Sequence, residues 1–146
     1  MIVLFINMNQ LKIEIKHFTK KYRRKFIYND FNYEIDNRHI NILKSPNGYG
    51  KSTLIKAILG IIKYQGRIKT NVKSFSFLPE HNNLPNYVRV DKFLDDMNIP
   101  IDKSKELLKL FNVDASKTIN ELSKGMRQKV LLVDTLLSDA QCYIFD

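Results

Sequence analysis

A glycine-containing segment, Ser45–Thr53, lies between a predicted strand and a predicted helix and constrains the fold more than any other part of the chain. The short run Ile40–Leu43 predicts the strand, and apolar residues at helical spacing from Leu54 to Leu59 predict a helix that ends at Gly60. This order of elements indicates a phosphate-binding loop, because loop N–H groups point inward and the helix adds its positive dipole end. The alternative is a glycine-rich turn that only caps an ordinary helix.

The side chains of this segment suit the binding of phosphate and Mg²⁺. The Lys51 ammonium would reach the β- and γ-phosphates of a nucleotide, and the Ser52 hydroxyl would bind Mg²⁺. The other nucleotide-binding candidates in the loop are Asn47, Gly48, Tyr49, Gly50 and Thr53. Ser45 stands where the strict pattern has glycine, so its Cβ is expected to strain the start of the loop, and Ser45→Gly is expected to tighten binding or leave it unchanged.

The chain is basic, with 24 Lys plus Arg against 15 Asp plus Glu and a net charge of +9. This charge suits nucleic acid, anionic lipid or a polyphosphate as a ligand. The densest basic stretch, Lys20–Lys25, is either the polar loop of an antiparallel hairpin or a site that attracts phosphates or nucleic acid. The single cysteine, Cys142, excludes a disulfide framework, and no apolar run is long enough to span a membrane, so a cytoplasmic chain is expected.

The first residues precede a clear strand pattern. Leu11, Ile13 and Ile15 alternate with polar residues and predict a half-buried strand. No such pattern covers Ile2–Asn7, so this stretch is expected to add nothing to stability, with translation beginning at Met8.

From Glu80 to about Ser138 the pattern changes to helices joined by polar segments. Asp102 is a candidate N-cap of one helix, and Ser123 is a candidate N-cap of the longest one. An apolar segment follows that predicts a buried parallel strand, with the carboxylate of Asp146 at its end. The histidines show no metal-ligand spacing and are interpreted as surface residues: His17, His39 and His81.

Three motifs in this order resemble those of the ATP-binding subunit of ABC transporters. They are Ser45–Thr53 as the Walker A loop, Leu122–Gln128 as the signature motif and Cys142–Asp146 as the Walker B strand. The resemblance implies an α/β fold of the P-loop NTPase type, with an antiparallel β subdomain, a partial RecA-like core and a helical subdomain. In one truncated domain, residues 1–79 and 141–146 would form the core and β subdomain, and residues 80–140 the helical subdomain.

The same resemblance implies that ATP lies between two subunits. Ser123 and Gly125 would contact the γ-phosphate of ATP bound by a partner subunit, and Asp146 would hold Mg²⁺. Glu80 stands where the family's Q-loop has glutamine and would be a further metal ligand. Tyr22 lies where the family has an aromatic residue that stacks on adenine, and packing within the hairpin is the alternative.

In the family a catalytic glutamate follows the Walker B aspartate, and a switch histidine comes later. The chain contains neither, so the resemblance implies ATP binding without turnover and no catalytic residue. It also implies that the final strand, normally inside the sheet, has one uncovered edge that makes the chain poorly soluble.

The predicted function is that of an ABC transporter's ATP-binding subunit, which couples Mg-ATP binding and hydrolysis to transport from the inner face of the cell membrane. Lys124, in place of the commoner glycine, favours export. Permease subunits and a second ATP-binding subunit are the expected partners, and no nucleic acid is expected. The alternatives are a nucleotide-binding relic or regulatory subunit without turnover, and a soluble ABC-fold ATPase acting on nucleic acid.

Overall fold

The computed structural model of the chain describes residues 2–5, 11–38, 40–46, 48–80 and 83–146. The strands are β1 (Ile2–Phe5), β2 (Lys12–Tyr22), β3 (Lys25–Asp36), β4 (Asn41–Ile42), β5 (Gln65–Thr70), β6 (Phe75–Leu78) and β7 (Cys142–Phe145). The α-helices are α1 (Lys51–Ile58), α2 (Val90–Asp96), α3 (Ile101–Leu110) and α4 (Lys124–Leu137), and a 3₁₀ helix covers Ile119–Glu121. The chain forms two compact units, one of Met1–Phe77 with Ala140–Asp146 and one of Leu78–Asp139. Among the described residues, no helix has both the length and the apolar character needed to cross a membrane.

One sheet is antiparallel and has the strand order β3-β2-β5. β2 and β3 are joined by the turn at Arg23 and Arg24, which confirms the hairpin with a basic loop. Ile13 is fully buried and pairs with Ile35, so the predicted alternation in β2 does place its apolar side chains in the core. His17 lies on the exposed face of this sheet, with its Nδ1 2.7 Å from Oδ1 of Asp30. His39 and His81 lie outside the described residues.

The other sheet has the strand order β4-β1-β7-β6, and β1 lies inside it. β1 pairs antiparallel with β4 on one side and with β7 on the other, and Val3 is fully buried. The expectation that the first residues have no structural role is therefore wrong for Ile2–Phe5. The pairing with β4 and β7 satisfies the backbone groups on both sides of β1, and the short apolar run gave no alternation by which this strand could be recognised. Met8 lies outside the described residues.

The final strand, β7, also differs from expectation. The expected uncovered edge is absent among the described strands, because β7 lies between β1 and β6. β7 is buried as predicted, with Cys142 and Ile144 fully buried, and it is antiparallel to β1, one of its two neighbours. The prediction of an aggregation-prone strand edge next to Asp146 is therefore wrong, since the backbone groups of β7 are paired with those of β1.

Helix α1 anchors the loop before it to the core. It ends as predicted, with Gly60 in the left-handed conformation at φ 71°. Burial raises the pKa of the Cys142 thiol in the same core to about 12, so this side chain stays protonated at neutral pH and contributes packing. Helix α1 buries one face in the same apolar core as Cys142, through Leu54, Ile55, Ala57 and Ile58.

The Leu78–Asp139 unit has its own apolar cluster, which includes Val130 and Val133 of α4. Ser123 is the N-cap of α4, as predicted, because its side chain accepts a hydrogen bond from the Met126 N–H at 3.2 Å. The predicted Asp102 cap is wrong, because α3 begins at Ile101 and Asp102 lies inside its first turn. A carboxylate there still favours the helix through the dipole.

Val3→Ala is expected to lower the free energy of unfolding by about 2 kcal/mol, because the deletion of buried methyl groups leaves a cavity inside the sheet. The matched control is Ile2→Ala, since Ile2 is 40% exposed in the same strand. Chemical denaturation measures the free energy of unfolding of both variants and of the wild type. A Val3→Ala loss no larger than that of the control would show that β1 is not packed as described.

Candidate functional site

Two chain segments meet at one end of the β4-β1-β7-β6 sheet, the end at which β4 and β7 terminate. β4 and β7 run in the same direction, because both are antiparallel to β1. The Ser45–Thr53 segment follows β4, and Asp146 follows β7. The carboxyl ends of strands that run in the same direction lie at the same edge, which is where ligands bind in open α/β sheets.

Ser52 and Asp146 are in direct contact at this edge. The Ser52 hydroxyl donates a hydrogen bond to Oδ2 of Asp146 at 2.7 Å. A hydroxyl and a carboxylate are the hard oxygen ligands that Mg²⁺ prefers, and Mg²⁺ usually binds one or two carboxylates together with substrate phosphates. Among the described residues no cluster of three or more His, Cys, Asp or Glu side chains forms a complete metal site. The pair therefore fits an ion that brings its remaining ligands with it.

The N-terminus of α1 is open to an anion. The helix begins at Lys51, and its N-cap, Gly50, has no side chain to satisfy the first backbone N–H groups. No acidic residue of α1 itself lies in its first turn, and the Asp146 carboxylate contacts this turn from the end of β7 through Ser52. Thr53 is half-buried in this turn. These features make the helix end a favourable place for phosphate.

Lys51 bends back over its own loop. Its Nζ donates hydrogen bonds to the carbonyl oxygens of Ser45 at 2.8 Å and Pro46 at 3.2 Å. The ammonium is thus held at the loop rather than directed into solvent. Ser45 is not among the described residues with positive φ, so its backbone is not in the left-handed conformation, and the effect of Ser45→Gly on binding stays a prediction. Asn47 lies outside the described residues.

Tyr28 of β3 connects the hairpin to the loop, a contact that the sequence analysis missed. Its hydroxyl donates to the Gly50 carbonyl at 3.2 Å, and burial raises the pKa of this phenol. Gly50 has φ 93°, and a Cβ there would lie 2.9 Å from Cε2 of Tyr28 and still closer to Cγ2 of Ile27. The only available signal was the alternation of β3, which does not identify a partner.

A cavity of about 490 Å³ lies between the hairpin and the loop. Its lining residues are Lys25, Phe26, Ile27, Gly48 and Tyr49. The volume falls in the usual range for small-molecule sites, and the lining combines aromatic rings with one ammonium. Tyr22 is not among the lining residues; it is 46% exposed, and the Lys20 ammonium lies 4.9 Å from its ring centroid.

Three predicted site residues belong to the Leu78–Asp139 unit, whereas the Ser45–Thr53 loop belongs to the other unit. Ser123 and Gly125 are exposed at the start of α4, where the helix N-terminus is again positive. A Cβ on Gly125 would meet no atom within 4 Å, so the described structure gives no packing reason for glycine. Glu80 is exposed, and the neighbouring Pro79 carbonyl accepts a hydrogen bond from Gln128 Nε2 at 3.1 Å.

Comparison with known proteins identifies a family. Residues 28–146 match the family described as "ABC transporter". The chain is 33% identical over 141 residues to the "Probable peptide export ATP-binding protein YydI" of Bacillus subtilis, covering 92% of this chain and 66% of that protein. It is 30% identical over 142 residues to the "Zinc import ATP-binding protein ZnuC" of Rickettsia bellii, covering 92% and 61%.

A solved structure agrees with these relatives. The structure titled "Putative ABC transporter (ATP-binding protein) from Pyrococcus furiosus" superposes with a TM-score of 0.75 at 29% identity, covering 92% of this chain and 74% of that one. The predicted α/β fold of the P-loop NTPase type is confirmed. The chain spans 61% and 66% of the lengths of the two curated relatives above.

Gly50→Ala is expected to destabilise the protein by about 1–3 kcal/mol more than Gly48→Ala, because its Cβ would overlap Ile27 and Tyr28. Gly48 is the matched control, since it also has positive φ, 81°, but a Cβ there meets nothing within 4 Å. Urea denaturation of the two variants checks the difference. Equal losses would mean that the hairpin does not press on the loop.

Proposed function

Because the chain belongs to the ABC transporter family, we propose that it binds Mg-ATP at the edge of the sheet where β4 and β7 end. The observation that carries the proposal is the 2.7 Å hydrogen bond from Ser52 to Asp146 at the open N-terminus of α1. This contact joins a helix that can hold phosphate to a carboxylate that can hold a metal ion.

Each part of the loop has a distinct task in the proposal. The first N–H groups of α1 bind phosphate oxygens, and Lys51 leaves the Ser45 and Pro46 carbonyls to pair with the triphosphate. Ser52 and Asp146 would hold Mg²⁺, which when bound neutralises phosphate charge. Thr53 and the loop amides complete the set of hydrogen-bond donors around the phosphates.

The cavity beside the loop suits the base and sugar of the nucleotide. Phe26 and Tyr49 offer aromatic faces to a planar ring, and the Lys25 ammonium lies in the same wall. Tyr22 remains the residue predicted from family resemblance to stack on adenine. Its ring is 46% exposed, and its strand partner Lys25 lines the cavity.

The wider role follows from the family. We propose that the chain acts with permease subunits at the inner face of the membrane and with a second ATP-binding chain. Ser123 and Gly125 are exposed at the N-terminus of α4. A surface that contacts the γ-phosphate of ATP bound by a partner chain needs this exposure and this positive helix end. Glu80 is exposed and free to approach a metal ion. One relative is named for peptide export and the other for zinc import, so export remains a prediction based on Lys124.

Lys51→Ala is expected to weaken ATP binding at least tenfold, or roughly 1.4 kcal/mol, because the variant loses the ammonium that pairs with the triphosphate. The matched control is Lys56→Ala, which removes the same charge from the exposed last turn of the same helix. Calorimetric titration measures the affinity of the wild type, Lys51→Ala and Lys56→Ala for Mg-ATP.

Equal affinities for the two variants would contradict the phosphate-loop assignment. The same samples test turnover through the release of inorganic phosphate. Any phosphate release above background is expected to be lost in Lys51→Ala and kept in Lys56→Ala, because the Lys51 ammonium pairs with the triphosphate.

A further inference from the structure

The Gly50 carbonyl, at the start of helix α1, is held from two sides. It accepts the first hydrogen bond of the helix, from the Leu54 N–H at 2.9 Å, and a second one from the Tyr28 hydroxyl at 3.2 Å. A backbone carbonyl has two lone pairs, so both are used here. The backbone of Gly50 is therefore fixed by one contact within the helix and by one contact from β3.

The ring of Tyr28 has little room to turn away from the loop. Its centroid lies 5.1 Å from that of Phe18, which is fully buried, and 5.2 Å from that of Phe31. On the other side, a Cβ on Gly50 would lie 2.9 Å from Tyr28 Cε2, so the ring lies directly against the loop backbone. Burial raises the pKa of the phenol, so the hydroxyl stays protonated at neutral pH and can donate.

The Gly50 carbonyl and the Lys51 N–H belong to the same peptide group. This group is trans, and in a planar trans peptide the C=O and the N–H point in opposite directions. A carbonyl held toward Tyr28 therefore keeps the N–H on the side away from Tyr28. The Lys51 N–H is among the first of α1, which have no acceptor within the helix and are available to a phosphate oxygen.

We propose that Tyr28 is a positioning residue for phosphate binding, and that it acts through the Gly50–Lys51 peptide. The inference rests on the proposed function and adds to it a residue that lies outside the loop. Such an anchor matters at this position because glycine, here at φ 93°, has more accessible backbone conformations than any other residue. The hydroxyl restricts the loop to one of them before a ligand arrives, so less ordering opposes binding.

Tyr28→Phe tests the inference, because it removes the hydroxyl and keeps the ring. The matched control is Tyr64→Phe, since the Tyr64 ring also packs on Phe18, at 5.2 Å between centroids. Calorimetric titration measures the affinity of both variants and of the wild type for Mg-ATP and for Mg-tripolyphosphate, which has no base. Tyr28→Phe is expected to weaken the binding of both ligands about three- to tenfold, the loss for one neutral hydrogen bond. The control is expected to change either affinity less than twofold.

Amide hydrogen exchange of the ligand-free protein gives a second readout that does not depend on ATP. Tyr28→Phe is expected to speed exchange of the Leu54 amide about three- to tenfold, because the carbonyl that accepts its hydrogen bond loses an anchor. The Leu59 amide, bonded to the Ile55 carbonyl at the other end of α1, is expected to change less than twofold. A merely structural role of Tyr28 would speed both amides equally.

Three results would overturn the inference. The first is an unchanged exchange rate of the Leu54 amide in Tyr28→Phe, and the second is equal acceleration at Leu54 and Leu59. The third is a loss of affinity for Mg-ATP without a loss for Mg-tripolyphosphate, which would mean that Tyr28 acts on the base. A wild type that binds Mg-tripolyphosphate but not Mg-ATP would contradict the proposed function, while the tripolyphosphate and exchange comparisons would still decide the role of Tyr28.

Discussion

The backbone pairing of β1 with both β4 and β7 determines where the chemistry of this chain can occur. Because β1 is antiparallel to each neighbour, β4 and β7 run in the same direction and end at one edge of the sheet. The loop that follows β4 and the carboxylate that follows β7 therefore meet, and Ser52 reaches Asp146. A shift in either register would move this pair apart, so the pairing that buries Val3 also holds the candidate metal ligands together.

Local patterns in the sequence predicted the elements whose signals are local. The loop, the Gly60 cap of α1 and the Ser123 cap of α4 each depend on residues within a few positions of each other. The alternation of apolar and polar residues, together with a polar turn, predicted the β2–β3 hairpin. The predicted N-cap Asp102 was two positions too late, because α3 begins at Ile101 and its N-cap is Pro100. A sequence pattern does not fix a helix boundary to within two residues.

The features that the sequence did not predict depend on contacts between segments far apart in the chain. β1 and β7 pair across almost the whole chain, and a short apolar run does not identify its partner strand. The Tyr28 hydroxyl bonded to Gly50 and the cavity walls at Phe26 also join segments far apart in the chain. The hydrogen bond from the Lys20 ammonium to the Lys63 carbonyl likewise joins two segments that meet only in the folded chain.

The proposed site requires Ser52 and Asp146 to act as one Mg²⁺-binding unit. The decisive measurement is the affinity for ATP, with Mg²⁺ and with a chelator, of the wild type, Ser52→Ala, Asp146→Asn and the double variant. Each single variant is predicted to lose the gain in affinity that Mg²⁺ provides. The double variant should lose little more than either, since two ligands of one ion are coupled by about 0.5–3 kcal/mol. A Mg²⁺-dependent gain of wild-type size in both single variants would contradict the account.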